Sequence, residues 1–213
     1  MTKLATILIG WALLAVVVGT TNGVGADLPP CTCAVAREAD GWCEQHHVGY
    51  IAGITIHSKL VFEQMDAHGH VVDLSTFQCE TCQKAIQTEG FCERDSVGFV
   101  KKLAYFSRLT YELARGERTP RAGITCRICR KNVESQGWCE RCKIGRIGPV
   151  AIRDREAYER AAQAADLLRA ANDAAVRCEW CGVAVLTNAQ CPMCRITYKG
   201  GKPVPPAQDP AAK

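Results

Sequence analysis

Apolar residues occur in two patterns along this chain. One apolar run covers positions 4–18 near the amino terminus, and elsewhere the large apolar residues stand in short groups. Two of these groups, "VGYIAGITI" (48–56) and "IGRIGPVAI" (144–152), are rich in β-branched residues and punctuated by glycine, which is typical of a short strand or hairpin. No long amphipathic or strand-rich block stands out. The sequence therefore predicts small local elements rather than one large hydrophobic core.

Helix signals follow the strand segments at corresponding places. Ser58, Ser107 and Asp154 are good helix N-caps. The segment after Asp154, "REAYERAAQAADLLRAANDAAVR", contains strong helix formers and predicts a long helix that packs against its neighbours. The last residues, "PVPPAQDPAAK" (203–213), predict a disordered tail.

These signals recur because the chain contains internal repeats. The repeats align on the second cysteine of each cluster, namely Cys33, Cys82, Cys129 and Cys181. The predicted units, called repeats 1 to 4, cover residues 27–75, 76–122, 123–177 and 178–202. Repeats 1 to 3 also share a glycine and an aromatic residue ahead of the third cysteine and a Val-Gly or Ile-Gly pair after it. Chance spacing of cysteines does not produce this agreement.

All 14 cysteines belong to four clusters, numbered as the repeats are. Clusters 3 and 4 show the full pattern of CxxC, nine residues and CxxC, and they comprise Cys126, Cys129, Cys139 and Cys142, and Cys178, Cys181, Cys191 and Cys194. Clusters 1 and 2 have three cysteines each and a different residue in the fourth place, and they comprise Cys31, Cys33, Cys43 and His46, and Cys79, Cys82, Cys92 and Asp95. Histidine and aspartate are both zinc ligands, so the replacement position for position favours metal binding. A disulfide framework would need a bridge between the two clusters of three.

The segments "CRICRKNVESQGWCERC" and "CEWCGVAVLTNAQCPMC" resemble the zinc-ribbon and rubredoxin-knuckle superfamily. The resemblance covers the clusters only and implies a tetrahedral zinc ion held by two cysteine knuckles. We therefore expect a small, metal-stabilised α+β fold with up to four zinc ions. It would consist of four tandem zinc-ribbon-like cysteine hairpins, the first three each followed by a short strand or hairpin and a helix. Cluster 2 has the alternative of an open or degenerate site.

The amino terminus predicts export. Lys3 precedes the apolar run and small residues end at Ala26, so residues 1–26 are predicted to be a signal peptide cleaved near Ala26. The alternatives are an uncleaved membrane anchor, for which the run is short, and a lipoprotein attached at Cys31, which Pro30 disfavours. An exported protein enters a compartment where disulfides form, so a disulfide-stapled extracellular scaffold stays open as an alternative to metal binding.

The charge pattern does not favour nucleic acid as a binding partner. The formal net charge is +4, but thiolates bound to metal would add negative charge, and basic residues surround the clusters. Sequence motifs for hydrolases, phosphate binding or haem attachment are not present, and we expect no enzymatic activity. A further metal site formed by His47, His68 and His70 is a weaker alternative to solvated histidines.

These observations lead to one functional prediction with an alternative of a different class. The prediction is a periplasmic or secreted zinc-binding repeat protein that acts as a structural or protein-interaction module of the cell envelope, with another envelope protein as its partner. The alternative is a protein that buffers or delivers a soft metal ion such as zinc or copper.

Overall fold

The computed structural model describes residues 32–205. The predicted signal peptide, its cleavage site at Ala26, Cys31 and residues 206–213 lie outside the described residues. The described part is a small α+β fold with seven α-helices and four small sheets. The predicted fold class is confirmed at this level.

The helices and strands follow the order of the repeats. Repeat 1 contains α1 (Cys33–Ala39), β1 (Trp42–Cys43), β2 (Val48–Ile51), β3 (Ile54–Ile56), α2 (Lys59–Met65), β4 (His70–Val71) and a 3-10 turn (Leu74–Thr76). Repeat 2 contains α3 (Glu80–Thr88), β5 (Phe91–Cys92), β6 (Val97–Val100), β7 (Leu103–Tyr105), α4 (Arg108–Arg115), β8 (Glu117–Arg118) and a 3-10 turn (Arg121–Gly123). Repeats 3 and 4 contain α5 (Arg127–Ser135), β9 (Gly137–Cys139), β10 (Ile144–Ile147), β11 (Val150–Ile152), α6 (Arg155–Ala175), α7 (Glu179–Thr187), β12 (Thr197–Lys199) and β13 (Lys202–Val204).

In every repeat a helix, not a hairpin, lies between the second and the third cysteine of the cluster. In repeats 2 to 4 the first cysteine is the N-cap residue of α3, α5 or α7, and the second lies in the first turn of that helix. Each helix ends at a residue with positive φ, which is Asp40, Glu89, Gln136 or Asn188. The structure therefore differs from the expected cysteine hairpins, because nine residues suffice for two helical turns followed by a left-handed reversal of the chain.

The short strand or hairpin expected after clusters 1 to 3 is a hairpin in each case, and a fourth hairpin follows cluster 4. The strand pairs β2–β3, β6–β7, β10–β11 and β12–β13 are antiparallel and are each joined by two residues. In three of these turns both residues have positive φ, as in Ala52 (47°) and Gly53 (80°). This is the type I′ geometry, whose twist matches that of the flanking strands.

The recurring glycine and aromatic residues of the sequence pack on one another. In repeat 2, a Cβ placed on Gly98 would lie 2.2 Å from Cδ2 of Tyr111 and 2.7 Å from Cδ2 of Phe91. The rings of Phe91 and Tyr111 are themselves 5.2 Å apart. Equivalent contacts occur in repeats 1 and 3, where they join Gly49, Trp42 and Phe62, and Gly145, Trp138 and Tyr158. The missing side chain therefore lets the following helix pack on the hairpin.

The last strand of repeat 1 and the last strand of repeat 2 each join the sheet of the next repeat. Strand β4 at the end of repeat 1 pairs with β7 of repeat 2, and β8 at the end of repeat 2 pairs with β11 of repeat 3. The resulting sheet orders are β4-β7-β6-β5 and β8-β11-β10-β9, whereas the other two sheets are β1-β2-β3 and β12-β13. Strand β13 extends into the segment that was predicted as tail.

The expectation that no large core is present is wrong. One cluster of 21 buried residues contains members from all four repeats. The predicted long helix, α6, lies at its centre and contributes six of its own buried residues, which are Ala157, Tyr158, Ala161, Ala165, Leu168 and Ala171. Most of these are alanines, which let α4 and α7 approach closely and do not stand out as core residues in the sequence.

Two of the three predicted N-caps bond through their side chains. The Ser58 hydroxyl accepts a hydrogen bond from Val61 N, and the Asp154 carboxylate accepts one from Ala157 N at 2.6 Å. Ser107 occupies the N-cap position of α4 without such a bond. The helix starts predicted from the sequence are thus at the predicted positions.

Polar contacts that the sequence does not predict also join the repeats. Glu112 of α4 is fully buried and accepts a hydrogen bond at 2.9 Å from the Nε atom of Arg160 on α6. The Ser58 hydroxyl donates a hydrogen bond to Glu179 of α7, 121 positions away. These contacts fix the helices of different repeats relative to one another.

Candidate metal centres

Clusters 3 and 4 each bring four cysteine sulfur atoms within 4.8 Å of one another. The Sγ atoms of Cys126 and Cys139 are 3.9 Å apart, as are those of Cys178 and Cys191. A zinc ion bound tetrahedrally with Zn–S distances of about 2.3 Å needs sulfur atoms roughly 3.8 Å apart. The sulfur spacing therefore fits a tetrahedral metal ion.

Two parts of the fold, a helix start and a pair of strands, carry the four ligands of cluster 3. The start of α5 provides Cys126 and Cys129, the end of β9 provides Cys139, and the turn before β10 provides Cys142. Cys129 and Cys139 are buried together with Ile124 in a small core of their own. A metal ion here would join the helix to the sheet.

Cluster 2 brings Asp95 to the place predicted from the sequence. Its Oδ2 atom lies 3.0 Å from Sγ of Cys82 and 3.8 Å from Sγ of Cys92. Sγ of Cys79 is 3.9 Å from Sγ of Cys92. The four predicted ligands of this cluster are thus close enough to share one ion.

Cluster 1 is described in part, because Cys31 lies outside the described residues. His46 Nδ1 lies 3.2 Å from Sγ of Cys33 and 3.6 Å from Sγ of Cys43. These three residues form a group that could hold a metal ion.

Thiol acidity varies within cluster 3. The backbone N–H of Cys129 hydrogen-bonds the Cys126 sulfur and lowers the pKa of Cys126 to about 6. Burial raises the pKa of Cys129 to about 12. The thiolate of Cys126 therefore forms first, and binding of a metal must displace protons from its neighbours, which makes affinity dependent on pH.

Cluster 1 has an acidic thiol and cluster 2 an acidic carboxyl. In cluster 1, a hydrogen bond with the Thr32 side chain lowers the pKa of Cys43 to about 5, against the effect of burial. In cluster 2, the hydrogen bond from Cys82 holds the pKa of the Asp95 carboxyl below its usual range, while burial raises the pKa of the Cys82 thiol. Asp95 is therefore ready to bind a cation as a carboxylate.

One residue near cluster 4 was missed by reasoning from the sequence. Tyr198 of β12 is nine-tenths buried and hydrogen-bonds to Cys181, which raises the pKa of Tyr198 to about 12. A hydroxyl that donates to a ligand sulfur is the kind of outer contact that orients metal ligands. The repeat alignment could have pointed to Tyr198, because aromatic residues, Tyr50 and Phe99, occupy the corresponding position in repeats 1 and 2.

The histidines considered as a further site do not form a ligand group among residues 32–205. Instead, His70 Nε2 lies 2.6 Å from Asp66 Oδ1, and its ring is 5.7 Å from that of Phe106. The sequence alternative of a second site at His47, His68 and His70 gains no support from these contacts.

The donor sets decide which ions the centres suit. Clusters 3 and 4 offer four thiolates, cluster 2 offers three thiolates and a carboxylate, and the described residues of cluster 1 offer two thiolates and an imidazole. Such sets suit zinc and other soft ions. The described residues therefore contain four groups of possible metal ligands, of which two are all-cysteine.

No family model, no characterised protein and no solved structure matches this chain. Within residues 32–205, no helix combines the length and apolar character needed to cross a membrane.

Proposed function

We propose that this protein is an exported, zinc-binding repeat protein that acts as a structural and protein-interaction module of the cell envelope, without enzymatic activity. The observation that carries the proposal is that a group of possible metal ligands recurs at the same place in all four repeats. Each group of ligands lies between the start of a helix and the first strands of a sheet, so a bound ion would hold these two elements together.

A structural role is supported by how the centres connect to the shared core. Cys181 and Cys191 of cluster 4 belong to the 21-residue core as well as to the ligand group. On the same helix, Gly182 lies so close to α2 and α6 that an added Cβ would be 2.6 Å from Val61. An ion in cluster 4 would thus fix α7 against two other repeats.

Zinc would supply crosslinking at these centres. Its binding energy is folding energy when the ligands are brought together only in the folded chain. The protein's own part is to bury one or two ligand cysteines of each cluster and to position one helix N-terminus beside it, where the backbone N–H groups favour thiolate.

Metal buffering or delivery is the second candidate, and a specific observation favours it for two centres. Asp95 of cluster 2, His46 of cluster 1 and Cys194 of cluster 4 are exposed, whereas each ligand of cluster 3 is at least partly buried. Ions held by an exposed ligand exchange more readily with solvent and chelators. Cluster 3 is therefore an expected structural centre, and clusters 1 and 2 are the expected sites of exchange. Cluster 4 also has one exposed ligand, but its Cys181 and Cys191 belong to the shared core, so we assign it a structural role.

The two functions differ in how fast the ions leave. The mature protein, loaded with zinc, is mixed with a mild chelator, and ion loss and unfolding are followed together for the native chain and for Cys139→Ser and Asp95→Asn. A structural role predicts slow exchange, and unfolding when Cys139 is replaced. Rapid exchange of all ions from a chain that stays folded would favour delivery, and a protein with few free thiols and no metal would be the disulfide-stapled scaffold.

Export is tested separately. Cell fractionation, followed by sequencing of the amino terminus of the purified protein, is expected to find the chain outside the cytoplasm with a new terminus near Ala26. An intact terminus in the membrane fraction would support the anchor alternative, and a cytoplasmic protein would overturn the proposal of export.

A further inference from the structure

Two of the four hairpins have an outer edge that no other described strand covers. In repeats 2 and 3 the outer strand of the hairpin is paired with a linker strand, β4 or β8. In repeats 1 and 4 the corresponding strands, β3 and β13, are the last strands of their sheets within residues 32–205. An uncovered edge offers backbone N–H and C=O groups to another extended chain.

The register of the hairpin shows which residue of β3 offers those groups. Ile51 and Ile54 flank the two-residue turn, so they exchange hydrogen bonds with each other. Pairs alternate along an antiparallel ladder, so Thr55, opposite Tyr50, is not bonded to β2. Its N–H and C=O point to the open edge, and its side chain is exposed.

In repeats 2 and 3, the residue that corresponds to Thr55 is paired with an added strand. Ala104 of β7 pairs with His70 of β4, and Ala151 of β11 pairs with Glu117 of β8. Under these added strands Ala104 is 0 % and Ala151 is 4 % exposed, in contrast to Thr55. The edge at this position is therefore a pairing surface that the fold already uses twice.

Repeat 4 protects its edge, whereas repeat 1 does not. Pro203 of β13 stands at the position of Thr55, where it removes the outward N–H, and Lys202 precedes it. Proline and lysine are the residues by which natural sheets block pairing at an edge. Strand β3 reads Ile-Thr-Ile, which has high strand propensity and no such block.

A cleft of about 190 Å³ lies beside this unprotected strand. Its near wall is formed by residues 52–55, and its far wall includes Glu134 and Gln136 at the end of α5 and Arg169 of α6. Glu134 forms an ion pair with Arg121, and Arg169 donates to the Gln136 side chain at 2.7 Å. A strand added to β3 would therefore lie between a backbone ladder and a polar, charged wall.

We propose that the edge of β3 binds an extended, polar segment of a partner polypeptide by strand addition at Thr55. The inference rests on the proposed function, because it assumes an exported chain cleaved near Ala26. In repeats 2 and 3 the donated strand begins 12 residues before the second cysteine of the cluster, and in repeat 1 that spacing falls on residue 21, inside the predicted signal peptide. A cleaved chain has no residue of its own at that spacing, and the edge is left to another chain.

Two peptides copied from this protein are the probes, because the fold places their sequences on the same edge of the next repeats. They are ARGERTPR (residues 114–121) and AHGHVVD (67–73). Each is titrated into ¹⁵N-labelled mature protein whose zinc content has been measured by mass, and amide shifts and amide exchange are recorded. The variant Thr55→Pro copies the block of repeat 4, and Thr55→Ala is its matched control because alanine stands at this position in repeats 2 and 3.

We expect saturable shifts at residues 52–56 and slower exchange of the Thr55 amide with at least one peptide. Thr55→Ala should bind as the native chain does, and Thr55→Pro should bind at least tenfold more weakly while keeping its metal and its other amide shifts. The inference is overturned if neither peptide binds, or if Thr55→Pro binds equally well. It is also overturned if the Thr55 amide is already protected without peptide, either by the chain's own amino terminus or by a second copy that Thr55→Pro releases.

Failure of this inference can be told from failure of the proposed function. A protein that holds no zinc, or that is not exported, contradicts the proposed function before any peptide is added. A zinc-loaded, exported protein that ignores both peptides contradicts only the strand-addition site.

Discussion

Replacing Leu168 by alanine tests whether the four repeats share one core. Leu168 lies on α6, is 0 % exposed and belongs to the 21-residue cluster that contains members of every repeat. Truncating a buried leucine to alanine costs about 3 kcal/mol, from lost burial and from the cavity left behind. For a chain of this size, such a loss lowers the melting temperature by roughly 6–12 °C.

The matched control is the next residue along the helix. Leu167 is partly exposed and lines an open groove, so Leu167→Ala keeps the chemistry of the change but removes less buried surface. Thermal unfolding of the zinc-loaded protein should show one transition in both variants, and all ions should leave in that transition. The melting temperature should fall further for Leu168→Ala than for Leu167→Ala. If the two variants are equally stable, or if Leu168→Ala loosens one repeat and spares the others, the idea of a shared core is refuted.

Three further predictions concern packing, acidity and buried charge. Gly98→Ala should cost about 1–3 kcal/mol in chemical denaturation, because the new methyl group would overlap the Tyr111 ring; an unchanged midpoint would contradict this packing. In metal-free protein at pH 7, iodoacetamide should modify Cys126 before Cys129, because only the thiolate reacts. The rate of modification at Cys126 should fall as the pH drops through about 6. Equal rates for the two cysteines at pH 7, measured by peptide mass mapping, would contradict this order. Glu112→Ala should lower the free energy of unfolding by about 3 kcal/mol at neutral pH, because Arg108 and Arg160 would lose their buried counter-ion. A loss below about 0.5 kcal/mol would show that solvent screens the charges of these arginines.

The repeat pattern of this chain could be predicted because it is local in sequence. A cysteine pair, a glycine, an aromatic residue and an N-cap recur at nearly fixed spacing, so the order of elements in repeats 1 to 3 follows from one alignment. The positions of Ser58 and Asp154 as capping residues follow from their type and their place before a helix-forming segment. The grouping of Asp95 with three cysteines follows from its place in the fourth ligand position.

Other parts of the fold could not be predicted, for two physical reasons. The nine residues between cysteine pairs are compatible with either a hairpin or a short helix, and both bring the pairs together. Contacts such as Ser58 with Glu179 join residues 121 positions apart, and no local signal marks them. The shared core was missed because small residues such as Ala161 and Ala165 are buried by close helix packing rather than by their own apolar bulk.

Metal binding is the central claim, and a mass measurement tests it most directly. The mature protein is purified from its exported compartment without added metal, and its native and denatured masses are compared with a count of free thiols in denaturant and chelator. The account predicts an excess mass of up to four zinc ions, one for each ligand group, and a thiol count that matches the 14 cysteines. No excess mass together with few free thiols would contradict it and would show that these clusters are disulfides.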